Sequence, residues 1–320
     1  MKLISKIEEV QAHVPVNMTS DIDTIKPFLS NIERLFIKDL IGKDQYEALI
    51  AAYAEETEDD QINEAILICQ KIMANLAYHQ GMPVLAVSIG TSGIQVISNL
   101  ETKQAFQWQV EDLKQALQEL GFSAIEELLQ FLEENPDKFP DYINSPQFIK
   151  QESLLIQSAA EFSESFDINS SRFTFQKLTY LMNRLELQVI KKLFGDGFIE
   201  ALKVDDQEGK YQTLLDEYIK PGLVLLTVAK GIIERIISIE NGSAIINFKG
   251  TYNNLKESMA PNREQISAMY EQLEKDGNKF LQDGLEFITA NLADFENFVP
   301  PVTRRRFKFT NDATKGVFGV

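Results

Sequence analysis

The chain reads itself twice, and any fold assigned to it must therefore be assigned twice. Ile37-Lys38-Asp39-Leu40-Ile41-Gly42, followed by Glu47-Ala48-Leu49, returns 153 positions later as Ile190-Lys191-Lys192-Leu193-Phe194-Gly195, followed by Glu200-Ala201-Leu202. Upstream positions agree in type: Phe28, Leu29, Ile32 and Glu33 correspond to Leu181, Met182, Leu185 and Glu186. In each copy apolar residues at three- and four-residue spacing predict a helix that ends at Gly42 or Gly195, where a left-handed cap is expected.

The rest of each copy follows one order. A short helix comes next, 43–53 and 197–204, then an acidic loop in which Asp59 or Asp60 is placed to cap the following helix. That helix carries the most continuous apolar stripe, Ile62, Ala65, Ile66, Cys69, Ile72, Met73 and Leu76; its counterpart from Leu215 contains Pro221-Gly222, which predicts a kink or break. Each long helix leads into an expected β-hairpin, 84–98 with Thr91 and Ser92 at the tip, and 236–248 with Asn241 and Gly242. Phe106, Val110, Leu113, Leu117 and Leu120 then predict one amphipathic helix, and Ile125, Leu128, Leu129 and Leu132 a second. Ile266, Met269, Leu273, Phe280, Leu281, Leu285, Ile288 and Leu292 fill the same place in the second copy.

The expected fold is mainly α, a tandem duplication of a helical-bundle domain with one β-hairpin in each copy. Residues 1–152 form the first domain, 153–298 the second, and 299–320 an extended basic C-terminal tail. A two-stranded hairpin is marginal alone in water, so each must pack on its own helices or join strands of another subunit.

Charge narrows the partners. Asp and Glu number 48 against 31 Lys and Arg, a formal net charge of −17, which argues against a surface that wraps nucleic acid. The tail has the opposite sign, with Arg304, Arg305, Arg306, Lys308 and Lys315 against Asp312. Such polarity suits like subunits that pack an acidic face against a basic extension. One cysteine forms no disulfide within the chain and points to a cytosolic setting; no apolar run approaches the roughly 20 residues that span a bilayer, so no membrane partner is expected.

The residues that usually carry chemistry stand apart. His13 and His79 share no metal-ligand spacing, and Cys69 lies on an apolar stripe, as a core side chain would. Gly90-Thr91-Ser92-Gly93 lacks the lysine of a phosphate loop and precedes a strand, so it reads as a hairpin tip. Asp59-Asp60 and Asp205-Asp206 read as solvated caps, and Trp108 and the phenylalanines, at helical spacing, as core. No catalytic residue, metal or cofactor is assigned. Candidate partner-binding residues are Arg304, Arg305, Arg306, Phe307, Lys308 and Phe309 in the tail, and Thr91, Ser92, Asn241 and Gly242 at the hairpin tips.

The pattern Phe28-Leu29, Ile32-Glu33, Phe36-Ile37, Leu40-Ile41-Gly42, Tyr46 and Leu49, an acidic gap, then a long alanine-containing helix, resembles tailed-phage head-to-tail connector proteins, the adaptor or head completion proteins. The likeness covers about residues 21–78 and, more weakly, 172–235. The chain also looks like an uncharacterised family encoded in prophages. The connector resemblance implies a non-enzymatic virion protein, assembled in the host cytoplasm, that forms a homo-oligomeric ring at the portal. It implies contacts with the portal and neighbouring tail or connector proteins through hairpins and tail, and DNA passing a lumen without sequence-specific binding. Connectors usually hold one such unit, and the duplication departs from that. The rival expectation is a cytosolic protein-binding or assembly-regulating module that is absent from the particle.

Overall fold

The computed structural model describes residues 3–15, 21–85, 87–90, 93–96, 106–203, 209–234, 237–240, 243–246, 263–295 and 298–299. The first copy runs α1 (Ile7–Gln11), α2 (Ile22–Ile32), a π-helical turn (Glu33–Ile37), α3 (Lys38–Ile41), α4 (Lys43–Ala54), α5 (Asp60–Leu85), β1 (Val87–Gly90), β2 (Gly93–Val96), α6 (Gln107–Glu134), α7 (Pro140–Ile143) and α8 (Pro146–Glu152). The second copy runs α9 (Ala159–Ser165), α10 (Arg172–Leu185), a π turn (Glu186–Ile190), α11 (Lys191–Phe194), α12 (Asp196–Leu202), α13 (Lys210–Leu214), a π turn (Leu215–Ile219), α14 (Lys220–Ile233), β3 (Ile237–Glu240), β4 (Ser243–Ile246) and α15 (Arg263–Ala290). The order of helix, short helix, long helix, strand pair and long helix is thus repeated, and the fold is mainly helical.

Each copy has its own core. Leu29, Ile37, Ile41, Cys69, Ile72, Met73, Leu128 and Leu132 belong to the first, and Met182, Ile190, Phe194, Ile219, Leu223, Val224, Leu281 and Ile288 to the second. The deepest packing in each copy is between its two long helices, α5 with α6 and α14 with α15. Burial of so many full aliphatic side chains, at roughly 1.5–3 kcal/mol each, is the main force holding these pairs together.

Small residues set how closely the pairs approach. A Cβ added at Gly121 would lie 2.4 Å from Leu76 Cδ2, and one at Gly277 would lie 2.9 Å from Leu226 Cγ. Gly121 and Gly277 occupy the same place in α6 and α15, as Leu76 and Leu226 do in α5 and α14. That close approach explains why α6 is one continuous helix where two were expected: Gly121 is a packing residue within it, not a break between Leu120 and Ile125.

The apolar residues of α6 differ in burial. Leu117, Ile125, Leu128, Leu129 and Leu132 are buried, but Phe106, Trp108, Leu113 and Leu120 are exposed, Phe106 at 68% and Trp108 at 61%. Helical spacing therefore misplaced Trp108 and Phe106 in the core. In α15, Met269 and Phe280 are exposed in the same way, and Leu292 just beyond it.

Three further expectations change. Val84 lies in the last turns of α5, not in a strand, because the helix continues through Pro83 to Leu85. The antiparallel ladders are four residues long on each side, Val87 to Val96 and Ile237 to Ile246 pairing at their open ends. Pro221 produces a π turn immediately before it rather than a break: the Lys220 N–H bonds to the Leu215 carbonyl, and Pro221, which has no N–H to give, begins α14 with Lys220. Asp59 is the cap of α5, its Oδ1 accepting from Gln61 N at 3.0 Å and Ile62 N at 3.2 Å.

Gly42 and Gly195 do end their helices, but not in the left-handed helical conformation. Their φ/ψ values are +86°/159° and +91°/142°, a region open essentially to glycine, and each carbonyl then accepts the first bond of the next helix, from Tyr46 N and Ile199 N. At Gly42 a Cβ would also meet Ser145 Cβ at 3.2 Å, whereas at Gly195 the nearest atom is 4.0 Å away. Gly42→Val is therefore expected to cost more than Gly195→Val, both exceeding about 1 kcal/mol. Denaturant unfolding of the two variants beside the parent checks this, and equal midpoints for all three would remove the backbone requirement.

Candidate functional site

The most unusual side chains in the core are two carboxylates. Glu33 and Glu186 each begin a π turn and are buried, 4% and 2% exposed. Each receives the backbone N–H of a residue near the start of its copy: Leu3 N donates to Glu33 Oε1 at 3.0 Å, and Leu155 N to Glu186 Oε1 at 2.7 Å. The next few residues match as well, Ser5 N donating to Glu9 at 2.7 Å and Gln157 N to Glu161 at 2.9 Å. The Glu33 and Glu186 bonds tie the first segment of each copy to the π turn that follows α2 or α10, and the Glu9 and Glu161 bonds close that segment on itself.

The two carboxylates differ in what else holds them. Lys203 Nζ lies 2.7 Å from Glu186 Oε2 and also donates to the Ser153 carbonyl at 2.6 Å. In the first copy the phenol of Tyr46 takes that place as a hydrogen-bond partner of Glu33. Burial, together with the Glu33 charge, pushes the Tyr46 hydroxyl well above the ordinary tyrosine range. The same burial, then Glu33, pushes the Cys69 thiol up to about 12, so it stays protonated at neutral pH.

The second distinctive place is the junction between the copies, where α10 crosses α6 and reaches α3. Glu126 of α6 accepts from Arg172 N at 2.8 Å, from Phe173 N at 3.2 Å and from the Ser171 hydroxyl, so a carboxylate of one copy caps the N-terminus of a helix in the other. Arg172 Nε donates to Glu133 at 2.6 Å. Burial raises the Glu133 carboxyl above the usual carboxylate range, outweighing the Arg172 guanidinium that lowers it. Phe173, 6% exposed, belongs to the core of the first copy and stacks on Phe122 at 6.1 Å. At the far end Gln176 Nε2 donates to the Leu40 carbonyl at 3.1 Å, and Lys177 Nζ lies 3.3 Å from Asp39 Oδ2. Beside Asp39 a groove of about 690 Å³ opens between Arg34, Lys38, Gly42, Lys43, Asp141 and Lys150, with charges of both signs.

The other sequence candidates do not converge. His13 follows α1 and His79 lies within α5; burial first, then Lys71 for His13 and Lys114 for His79, lowers both imidazoles below their ordinary range. Among the described residues no group of three or more His, Cys, Asp or Glu is arranged to hold a metal ion, and no helix is long and apolar enough to cross a membrane. Thr91, Ser92, Asn241 and Gly242, the acidic pair Asp205-Asp206, and the whole of Arg304, Arg305, Arg306, Phe307, Lys308 and Phe309 lie outside the described residues. Gly42 and Gly195 stand where the pattern put them.

The repeat has a counterpart in comparison with known proteins. A family model described as "Family of unknown function (DUF6712)" matches the chain twice, over residues 37–152 and 188–308. The chain belongs to this family. The two matches make it a tandem of DUF6712 units, and each begins in a π turn that a buried glutamate opens. The second match runs through Arg304, Arg305, Arg306 and Lys308, so part of the basic segment lies inside a family unit. No curated protein and no solved structure matches the chain.

Sequence reasoning aligned Glu33 with Glu186 but missed their role. The signal was a glutamate repeated on an apolar stripe. It missed the junction too, because Glu126 and Glu133 look like any exposed helix carboxylates until Arg172 is brought beside them. Two outcomes follow. Lys203→Met leaves Glu186 buried without its cation and is expected to destabilise the second copy by roughly 3 kcal/mol, read by chemical denaturation; parental stability would contradict it. Glu126→Ala is expected to cost about 1.5–3 kcal/mol and, since each copy has its own core, to separate the melting of the copies, read by calorimetry. One unshifted transition would contradict it.

Proposed function

We propose that the chain is a non-enzymatic subunit of virion assembly, a head-to-tail connector that forms an oligomeric ring at the portal of a tailed phage. The observation that carries this reading is the junction: two like units joined through a capped helix end, an ion pair and a shared aromatic stack. A unit that docks on its like within one chain has the surfaces an assembly of such units needs. The resemblance of residues 21–78 to connector proteins supplies the kind of assembly, and the net charge of −17 suits a lumen that repels DNA and lets it slide.

In this reading the strand pairs extend toward neighbouring subunits, and Arg304, Arg305, Arg306 and Lys308, flanked by Phe307 and Phe309, dock on an acidic partner surface or on phosphate. The ring is built in the host cytoplasm and becomes part of the virion.

Deleting 304–320 is expected to leave the helical content unchanged and to weaken co-purification with a portal protein, read by circular dichroism and native mass measurement. Undiminished portal binding would take the tail out of the interface, and absence of the chain from purified particles would favour a cytosolic assembly-regulating module instead.

A further inference from the structure

The internal junction joins two different faces. One is presented by the second copy: the α10 side of Arg172, Phe173, Gln176 and Lys177. The other is presented by the first copy: Asp39 and the Leu40 carbonyl at the end of α3, with Phe122, Glu126 and Glu133 on α6. Because the copies share one fold, each face exists twice. The first copy has its own version of the α10 face on α2, and the second has its own version of the α3–α6 face on α11 and α15. Among the described residues neither of these receives a helix of the other copy as the internal junction does.

The charge balance of the unused pair runs the other way, with lysines around the receiving positions and aspartates at the start of the entering helix, although only Asp39 to Lys192 is a direct reversal at a matched position. On the internal receiving face Asp39, Glu126 and Glu133 are acidic, and Arg172 and Lys177 on the entering helix are basic. On the unused receiving face Asp39 is replaced by Lys192, and Glu126 and Glu133 by Gln282 and Thr289 at the matching positions of α15. Lys275 and Lys279 lie on the turns beside them, with Glu286 as an opposing carboxylate; Lys192, Lys275, Lys279 and Gln282 are exposed. On the unused entering helix, α2, Gln176 and Lys177 become Asp23 and Thr24, with Asp21 just before them, all exposed. Asp23 holds Lys26 at 3.1 Å in a solvated pair, which is weak enough to be exchanged for another cation.

We propose that a second copy of this chain docks here, the acidic start of α2 in one chain entering the Lys192–Lys279 face of the next, as α10 enters the Asp39–Glu126 face within a chain. This deepens the assembly reading, on which it rests, by naming the subunit contact. The contact is heterologous, so it propagates head to tail into a closed ring or an open filament, and a two-fold dimer does not satisfy it. The reversed polarity keeps the two kinds of junction from exchanging, since an α10 face meeting the Lys192–Lys279 face sets Arg172 and Lys177 against lysines.

Charge reversal with rescue tests this on the full chain. One variant carries Asp23→Lys and Thr24→Lys, which spares Asp21, whose Oδ1 caps α2 by accepting from the residue-23 N–H at 3.0 Å; another carries Lys192→Glu and Lys279→Glu; a third carries all four. Sedimentation velocity and native mass measurement read the assembly, and thermal melting by circular dichroism confirms the fold of each. The parent is expected to form species larger than a dimer, each two-site variant to fall to monomer, and the four-site variant to recover the parental assembly at low ionic strength. A monomeric parent, assembly indifferent to both reversals, or a four-site variant no better than either half would overturn the contact. Portal binding of the parent is measured separately, so an oligomer that ignores these residues yet binds a portal rejects the contact and leaves the assembly reading standing.

Discussion

A carboxylate taken out of water is costly unless hydrogen bonds and a cation or a neutral donor replace its hydration. Each copy of this chain meets that demand in the same way, a backbone N–H near its own start donating to the buried glutamate. The first segment, the π turn and the helix before it are thereby fixed to one another, and the glycine that follows redirects the chain into the next helix. The long-helix pair then packs on this frame, its separation set by Gly121 against Leu76 in one copy and by Gly277 against Leu226 in the other. The copies have diverged in the third partner, Tyr46 in the first and Lys203 in the second, while keeping the bond to the backbone.

The junction between copies uses the same chemistry in trans. Glu126 does for the N-terminus of α10 what a capping residue normally does within a helix, and it does so across a boundary between two cores. Because Arg172 and Phe173 accompany it, the contact combines a cap, an ion pair and buried aromatic surface. That combination gives orientation as well as cohesion, which is what a repeating assembly requires of its contacts.

Much of the fold was legible in the sequence. The copied run around Gly42 and Gly195 located the repeat, the apolar stripe from Ile62 to Leu76 located α5, and the position of Asp59 and Asp60 before that stripe narrowed its cap to those two residues. What was hidden depended on distance in three dimensions. Trp108 and Phe106 have the spacing of core residues, yet α6 extends past its packing partner and leaves them exposed. Gly121 has the character of a helix breaker, yet it is the point of closest approach. The π turns leave no trace in composition, and only the repeated Glu33 and Glu186 on otherwise apolar stripes hinted at them. Chemistry-bearing candidates dispersed because His13 and His79 sit half-buried at separate places and Cys69 lies in the core.

The account depends on two α-rich units, each folding around its own buried carboxylate and recognising the other through the Glu126 cap. Producing residues 1–152 and 153–320 as separate chains and measuring their association by calorimetric titration tests this most directly. The account predicts two helical, cooperatively melting halves that bind each other one to one, with binding much reduced when the first half carries Glu126→Ala. Halves that are unfolded alone, or that fold and ignore each other, would contradict it.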